Sequence, residues 1–132
     1  MKLVRVSLFI LIPLLLSSCT MPITFWLFNN TTHDMTIITH DKKINVGAGK
    51  YIKTTGLDYK FSIKSKTGNS AYEAKDIPLT HVHWTGWGPF SKRMFYVQLE
   101  ADGKLWVLRA KTQVPVTNFI EQPDGFPLEP NT

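Results

Sequence analysis

The chain has 132 residues, a formal net charge of +5 and a single cysteine. That length indicates one domain. The basic excess is mild and its residues are scattered along the chain, so nothing indicates a nucleic-acid-binding surface. One cysteine excludes an internal disulfide, and the folded domain must depend on the burial of apolar side chains.

The first residues have the pattern of a secretory signal. Lys2 and Arg5 supply positive charge, and residues 6–16 are apolar at all but two positions. This apolar run of about 11 residues is too short for a transmembrane helix, which needs roughly 20. The segment therefore predicts export by a signal peptide over residues 1–18 that is removed from the mature protein.

The end of this segment, Leu16-Ser17-Ser18-Cys19, resembles the lipobox of bacterial lipoproteins. The resemblance implies that the signal is cut before Cys19 and that this cysteine carries the lipid. Several acyl chains hold a protein firmly, because each buried CH₂ group contributes about 0.8 kcal/mol. Thr20 is not the aspartate that retains enterobacterial lipoproteins at the inner membrane. The resemblance therefore favours the periplasmic face of the outer membrane, while the inner membrane and the cell surface stay open.

A short tether follows the expected lipid site. Loss of Lys2 and Arg5 with the signal leaves 13 basic residues against 10 acidic ones, a net charge of +3. Residues 19–22 form the lipidated tether, and the first apolar run begins at Ile23. At about 3.3 Å per extended residue, this tether keeps the folded domain close to the membrane.

Short runs rich in β-branched and aromatic residues, separated by turn residues, occupy the next part of the chain. Residues 25–28 are all apolar, which is typical of a strand buried on both faces; a strand at a lipid interface is the alternative. Tyr59 to Lys64 alternates between apolar and polar residues, as a half-buried antiparallel strand does. The other candidate strands in this part are Met35–His40, Ile44–Val46, Tyr51–Thr55 and Ala71–Ala74.

The clearest strand pattern lies at residues 93–111, where two runs flank Asp102-Gly103. This dipeptide favours a two-residue hairpin loop, so we expect residues 93–100 to pair with residues 104–111. In that register one side of the hairpin is wholly apolar, which should fix the pairing. The expected pairs on the apolar side are Leu99–Trp106, Val97–Leu108 and Phe95–Ala110.

No stretch shows the apolar stripe of a helix. The sequence therefore predicts an all-β domain, a small antiparallel β-sandwich or barrel of about seven strands, over residues 23–111. Residues 112–132 form an extended, proline-rich tail, because its prolines exclude a helix and a central strand. We expect Phe126 and Leu128 to dock this tail on the domain; presenting them to another protein is the alternative.

His81 and His83 form a His-x-His pair in the most unusual segment of the chain, residues 81–90. In an extended segment the two imidazoles project from the same face, and they can bind Zn²⁺ or Cu²⁺ if further ligands converge on them. Histidines that only cap or line a loop are the commoner case.

The same segment carries Trp84, Trp87 and Phe90 among glycines and a proline. Exposed aromatic rings on a loop are ready anchors for a partner protein. The favoured interpretation is that the rings plug one open end of the sandwich, because large apolar side chains are usually covered.

The sequence predicts no enzyme and no cofactor, since no Gly-x-Ser-x-Gly or His-Glu-x-x-His motif is present and the carboxylates occur singly. The expected function is that of a membrane-anchored periplasmic lipoprotein that binds another protein of the periplasm or envelope. A toxin-immunity protein and an accessory subunit of an envelope assembly are two forms of it. The alternative is a ligand- or metal-binding periplasmic module that uses the segment His81–Phe90.

Overall fold

The computed structural model describes residues 22–55, 57, 60–74 and 76–131. These residues form an all-β domain, which confirms the predicted fold class. Its strands are β1 (Ile23–Asn29), β2 (Met35–Ile38), β3 (Lys43–Val46), β4 (Tyr51–Thr55), β5 (Lys60–Ser65), β6 (Gly68–Glu73), β7 (His83–Thr85), β8 (Lys92–Leu99) and β9 (Leu105–Val107). No helix in this part of the chain is both long enough and apolar enough to span a membrane. Cys19 and the signal segment lie outside the described residues.

Two sheets enclose one core, so the fold is sandwich-like, the first of the two expected architectures. In the first sheet the order is β4-β1-β8, and both β7 and β9 pair with the other side of β8. The second sheet has the order β3-β2-β5-β6 and is antiparallel at every pairing. The described residues form nine strands where about seven were expected. One addition is β7, which lies in a segment predicted as loop.

β1 and β8 are parallel neighbours, unlike the other strand pairs. Ile23 lies opposite Arg93 and Asn29 opposite Leu99, so both strands begin at the same end of the sheet. Parallel neighbours need a long crossover, and here β2 to β7 supply it. Both faces of this pair are covered, which is why β8 is buried at every position from Met94 to Leu99.

The main core lies between the two sheets. Leu27 and Phe95 of the first sheet belong to the same buried cluster as Ile37 and Ile63 of the second. Burial of each such side chain contributes about 1.5–3 kcal/mol to stability. Leu27 of β1, Ile37 of β2 and Val107 of β9 are completely inaccessible to solvent, so they lie at the centre of this core.

The outer face of the first sheet is covered by the chain that follows β9. Met94, Tyr96 and Leu108 form a second buried cluster, and side chains between residues 110 and 119 pack against it. Gln98 is buried on this face, where its side-chain amide donates to the carbonyl of Val116 and accepts from the Val116 N–H, both at 2.9 Å. This satisfied polar contact ties the covering segment to β8.

The hairpin of β8 and β9 has a three-residue loop, so the predicted register is wrong by one residue. Leu99 pairs with Leu105, and Val97 pairs with Val107. The predicted pairs Leu99–Trp106, Val97–Leu108 and Phe95–Ala110 are therefore not formed.

Gly103 is the physical reason for this difference. Its φ of +84° places it in the left-handed region, and its N–H donates to the carbonyl of Glu100 at 2.9 Å. A turn followed by a left-handed glycine makes a three-residue hairpin loop. As a result Leu105 and Val107 enter the core, and Trp106 moves to the outer face, where it stacks on Phe119 at 4.4 Å between ring centroids.

The C-terminal tail is docked on the domain, the alternative that the sequence favoured. Leu128 exchanges two backbone hydrogen bonds of 2.9 Å with Leu105 of β9, and the N–H of Asn131 donates to the carbonyl of Ala71 in β6 at 2.8 Å. The tail therefore contacts both sheets and joins β9 to β6. Phe126 and Leu128, the two expected apolar contacts, both pack against the main core.

Candidate functional site

The candidate site is residues 84–91, the end of β7 and its connection to β8, which we call the aromatic loop. β7 pairs with the beginning of β8, with Thr85 opposite Lys92 and Trp84 opposite Arg93. The loop leads into β8, which is paired on both sides because it lies between β1 and β7 in the first sheet.

Hydrogen bonds within the aromatic loop fix its shape. Residues Gly88–Phe90 form a 3₁₀ turn. The N–H of Phe90 donates to the carbonyl of Trp87 at 3.2 Å. Both the N–H and the hydroxyl of Ser91 donate to the carbonyl of Gly88, at 3.1 and 2.7 Å. The aromatic side chains are therefore presented by an ordered backbone.

Gly86 allows the loop to close on itself. Its φ is +87°, and a Cβ atom at this position would lie 2.6 Å from the carbonyl oxygen of Phe90. No larger residue fits there without moving the backbone of the loop. The glycine at residue 86 thus has a structural role in presenting the rings on either side of it.

The aromatic rings of this loop face solvent. Trp87 is 88% exposed and Phe90 is 82% exposed, so the expectation that they plug the end of the sandwich is wrong. Trp87 caps the 3₁₀ turn and Phe90 ends it, and the residues that pack against the main core are instead Phe126 and Leu128 of the C-terminal tail. Trp84 is 61% exposed, and the guanidinium of Arg93 lies 5.8 Å from the centre of its ring.

The aromatic loop lies at the end of the sandwich where the described chain begins. Pro22 and Pro89 line the same surface hollow, together with Lys53 and Lys92. The parallel pairing of β1 and β8 causes this proximity, because both strands start at this end. The lysines and Arg93 were not singled out in the sequence, since only the strand register shows that they surround the loop.

The two histidines of the predicted metal site are held by different elements. His81 ends a 3₁₀ turn at Leu79–His81, and its Nδ1 is 3.0 Å from the hydroxyl of Thr80. His83 begins β7. The segment between them is therefore not the continuous strand on which a shared face was expected. Among the residues described, no group of three or more His, Cys, Asp or Glu side chains could hold a metal ion.

Structural contacts explain the shifted pKa values of Asp41, Tyr72 and Lys104. A hydrogen bond from the Thr39 hydroxyl lowers the pKa of Asp41. Burial raises the pKa of Tyr72. A hydrogen bond to Glu129 and the charge of that carboxylate raise the pKa of Lys104. These three residues lie outside the aromatic loop and give no indication of acid–base chemistry there.

Comparison of the chain with protein-family models, with curated proteins and with solved structures finds no match. The aromatic loop is therefore interpreted from its own geometry and chemistry.

Proposed function

We propose that the protein is a non-enzymatic binding module that is anchored to the periplasmic face of the outer membrane by lipid on Cys19 and makes contact through the aromatic loop. The observation that carries this proposal is the exposure of Trp87 and Phe90, at 88% and 82%, on a loop with its own hydrogen bonds.

Two large exposed rings on an ordered loop favour binding for an energetic reason. Burying a side chain such as Phe contributes about 1.5–3 kcal/mol, and Trp has a larger apolar surface. A loop that is already ordered loses little conformational entropy when it binds. The site presents apolar rings and not reactive groups, which favours binding over catalysis.

The proposed anchor is supported by the lipobox-like sequence that ends at Cys19. The described chain starts at Pro22, which is exposed and only three residues beyond this cysteine. The protein partner expected from the sequence, whether a toxin or an envelope assembly, stays a prediction. No contact in the described residues favours the metal-binding alternative over it.

The two parts of this proposal are tested by two different variants. Cys19→Ser should move the protein from the membrane fraction to the soluble fraction. For the loop, a photoreactive residue in place of Trp87 should form adducts with the bound molecule in living cells. The matched control places the same group at Asn69, an exposed residue on β6.

We expect adducts from position 87 and none from position 69. Equal adducts from both positions would show that the aromatic loop has no special role in contact. A Cys19→Ser protein that is held in the membrane fraction as firmly as the wild type would remove the lipid anchor from the account.

A further inference from the structure

We infer that the aromatic loop contacts the lipid bilayer that holds the proposed anchor, with the rings of Trp87 and Phe90 entering the headgroup and upper acyl region. This inference rests on the proposed lipidation of Cys19 and names the surface that the loop binds.

The strand register places the loop and the start of the chain at one end of the molecule. Ile23 lies opposite Arg93 in the parallel pair, and Arg93 lies opposite Trp84 across the β7–β8 pair. The aromatic loop therefore projects beyond the same sheet end at which Pro22 enters β1. This proximity is seen directly in one surface hollow, which is lined by both Pro22 and Pro89.

The length of chain between the anchor and the domain limits what can lie beneath this end. Cys19 is three residues from Pro22, so the two are separated by about 10 Å at most. The polar headgroup layer is itself roughly 5–7 Å thick on each side of the hydrocarbon core. The distance left between the domain and the headgroup layer is too short for a folded soluble protein. We therefore infer that the loop contacts the bilayer surface.

The chemistry of this end suits a phospholipid surface. Tryptophan is enriched at membrane–water interfaces, and Phe and Trp on a basic surface bind there through apolar burial and charge. Lys53 and Lys92 line the hollow beside the loop, and the Lys42 ammonium group donates to the carbonyl of Thr55 at the same end. These positive charges are placed to attract anionic headgroups.

Of the acidic groups that the structure describes, Asp41 and Glu73 lie at this end and oppose the attraction only in part. Asp41 lies next to Lys42 in the turn between β2 and β3. Glu73 at the end of β6 is paired with Lys60 at 3.1 Å, so its charge is locally balanced.

The test uses the lipidated protein in vesicles of phosphatidylethanolamine and phosphatidylglycerol whose acyl chains carry bromine close to the headgroup. Bromine quenches the fluorescence of a tryptophan only at close range. We expect strong quenching in the wild type and clearly weaker quenching in Trp87→Phe, which keeps an apolar ring but removes one fluorescent group; Trp84 at the base of the loop accounts for the quenching that remains. Trp87 is so exposed that this substitution leaves the fold intact.

Trp106→Phe is the matched control. Trp106 lies opposite Gln98 near the other end of β8, about 20 Å along the strand from Lys92, and should be too far from the bilayer to be quenched. We therefore expect the quenched fraction of the fluorescence in Trp106→Phe to be at least as large as in the wild type. Equal quenching in Trp87→Phe and the wild type, or photo-adducts from position 87 only with protein, would overturn the inference.

A second arm separates this inference from the anchor on which it rests. Unlipidated Cys19→Ser protein should bind the same vesicles weakly, and the double variant Trp87→Ser, Phe90→Ser should reduce that affinity by about tenfold or more. An unmodified Cys19 in the native protein would refute the anchor alone. An affinity that the double variant does not change would refute contact between the loop and the bilayer.

Discussion

The side-chain amide of Gln122 forms with the backbone of Val107 the two hydrogen bonds that a neighbouring strand would otherwise form. The N–H of Val107 donates to Oε1 of Gln122 at 2.8 Å, and Nε2 of Gln122 donates to the carbonyl of Val107 at 3.1 Å. Val107 is fully buried, so these two backbone groups depend on the tail for their hydrogen bonds.

We expect Gln122→Ala to lower the free energy of unfolding by about 1–3 kcal/mol, because it leaves buried polar groups without partners. Urea unfolding followed by circular dichroism measures this change. Gln113, an exposed glutamine in the same part of the chain, provides the control. Gln113→Ala should change the free energy by less than about 0.5 kcal/mol. Equal effects of the two substitutions would contradict the role given to Gln122.

The hydroxyl of Tyr72 joins β6 to the β8–β9 hairpin, and its pKa makes this contact sensitive to pH. It donates to the carbonyl of Gly103 at 2.8 Å, and burial raises its pKa above the ordinary value of 10.0. The folded state thus holds the tyrosine proton more tightly than the unfolded state. The stability from this difference is present below pH 10 and is lost as the pH rises above it.

Tyr72→Phe should lower the free energy of unfolding by about 1 kcal/mol at neutral pH, through loss of the hydrogen bond. Above pH 10 we expect the stability of the wild type to fall more steeply than that of the variant. Unfolding curves measured on both sides of pH 10 provide the test. Identical pH slopes for the two proteins would show that Tyr72 does not carry the effect.

Gly103 fixes the register of the β8–β9 hairpin through its left-handed backbone. We expect Gly103→Val to lower the free energy of unfolding by about 1–2 kcal/mol, because a β-branched residue is strained at a φ of +84°. Gly103→Asn should have a smaller effect, since Asn tolerates this conformation better. Thermal unfolding of the two variants tests this prediction. A higher unfolding temperature for Gly103→Val than for Gly103→Asn would contradict the observed turn.

Asp102 distinguishes the observed hairpin loop from the two-residue loop that the sequence predicts. A two-residue type I′ loop at Asp102-Gly103 needs a positive φ at both residues, so Asp102→Gly would then stabilise the protein. In the structure Asp102 does not have a positive φ, and its carboxylate accepts from the N–H of Lys104 at 2.9 Å. We therefore expect Asp102→Gly to destabilise the protein; a higher thermal unfolding temperature would support the predicted register instead.

Local patterns were sufficient to predict the fold class. The alternation of Phe61 and Ile63 with polar residues, and the turn at Lys66-Thr67, follow directly from the pleat and the turn chemistry of antiparallel strands. The register of the last hairpin could not be decided in this way. Placing Leu105 or Trp106 inside gives an apolar side in either register, and only the packed core selects Leu105.

The candidate site could be identified in the sequence but not interpreted there. The cluster of Trp84, Trp87 and Phe90 stands out by composition. Their exposure has no local signal, and the core is packed instead by Phe126 and Leu128 from a distant part of the chain. The position of the loop beside Pro22 depends on the parallel pairing of β1 and β8, which has no local signal because the two strands are far apart in sequence.

Mass spectrometry of the protein purified from membranes tests the lipid anchor, and with it the orientation of the domain, most directly. We expect the N-terminal peptide to begin at Cys19 and to carry the mass of a diacylglyceryl group on sulfur and an acyl chain on the amino terminus. A peptide with a free thiol at Cys19, or one that continues uncut into residues 1–18, would contradict the account.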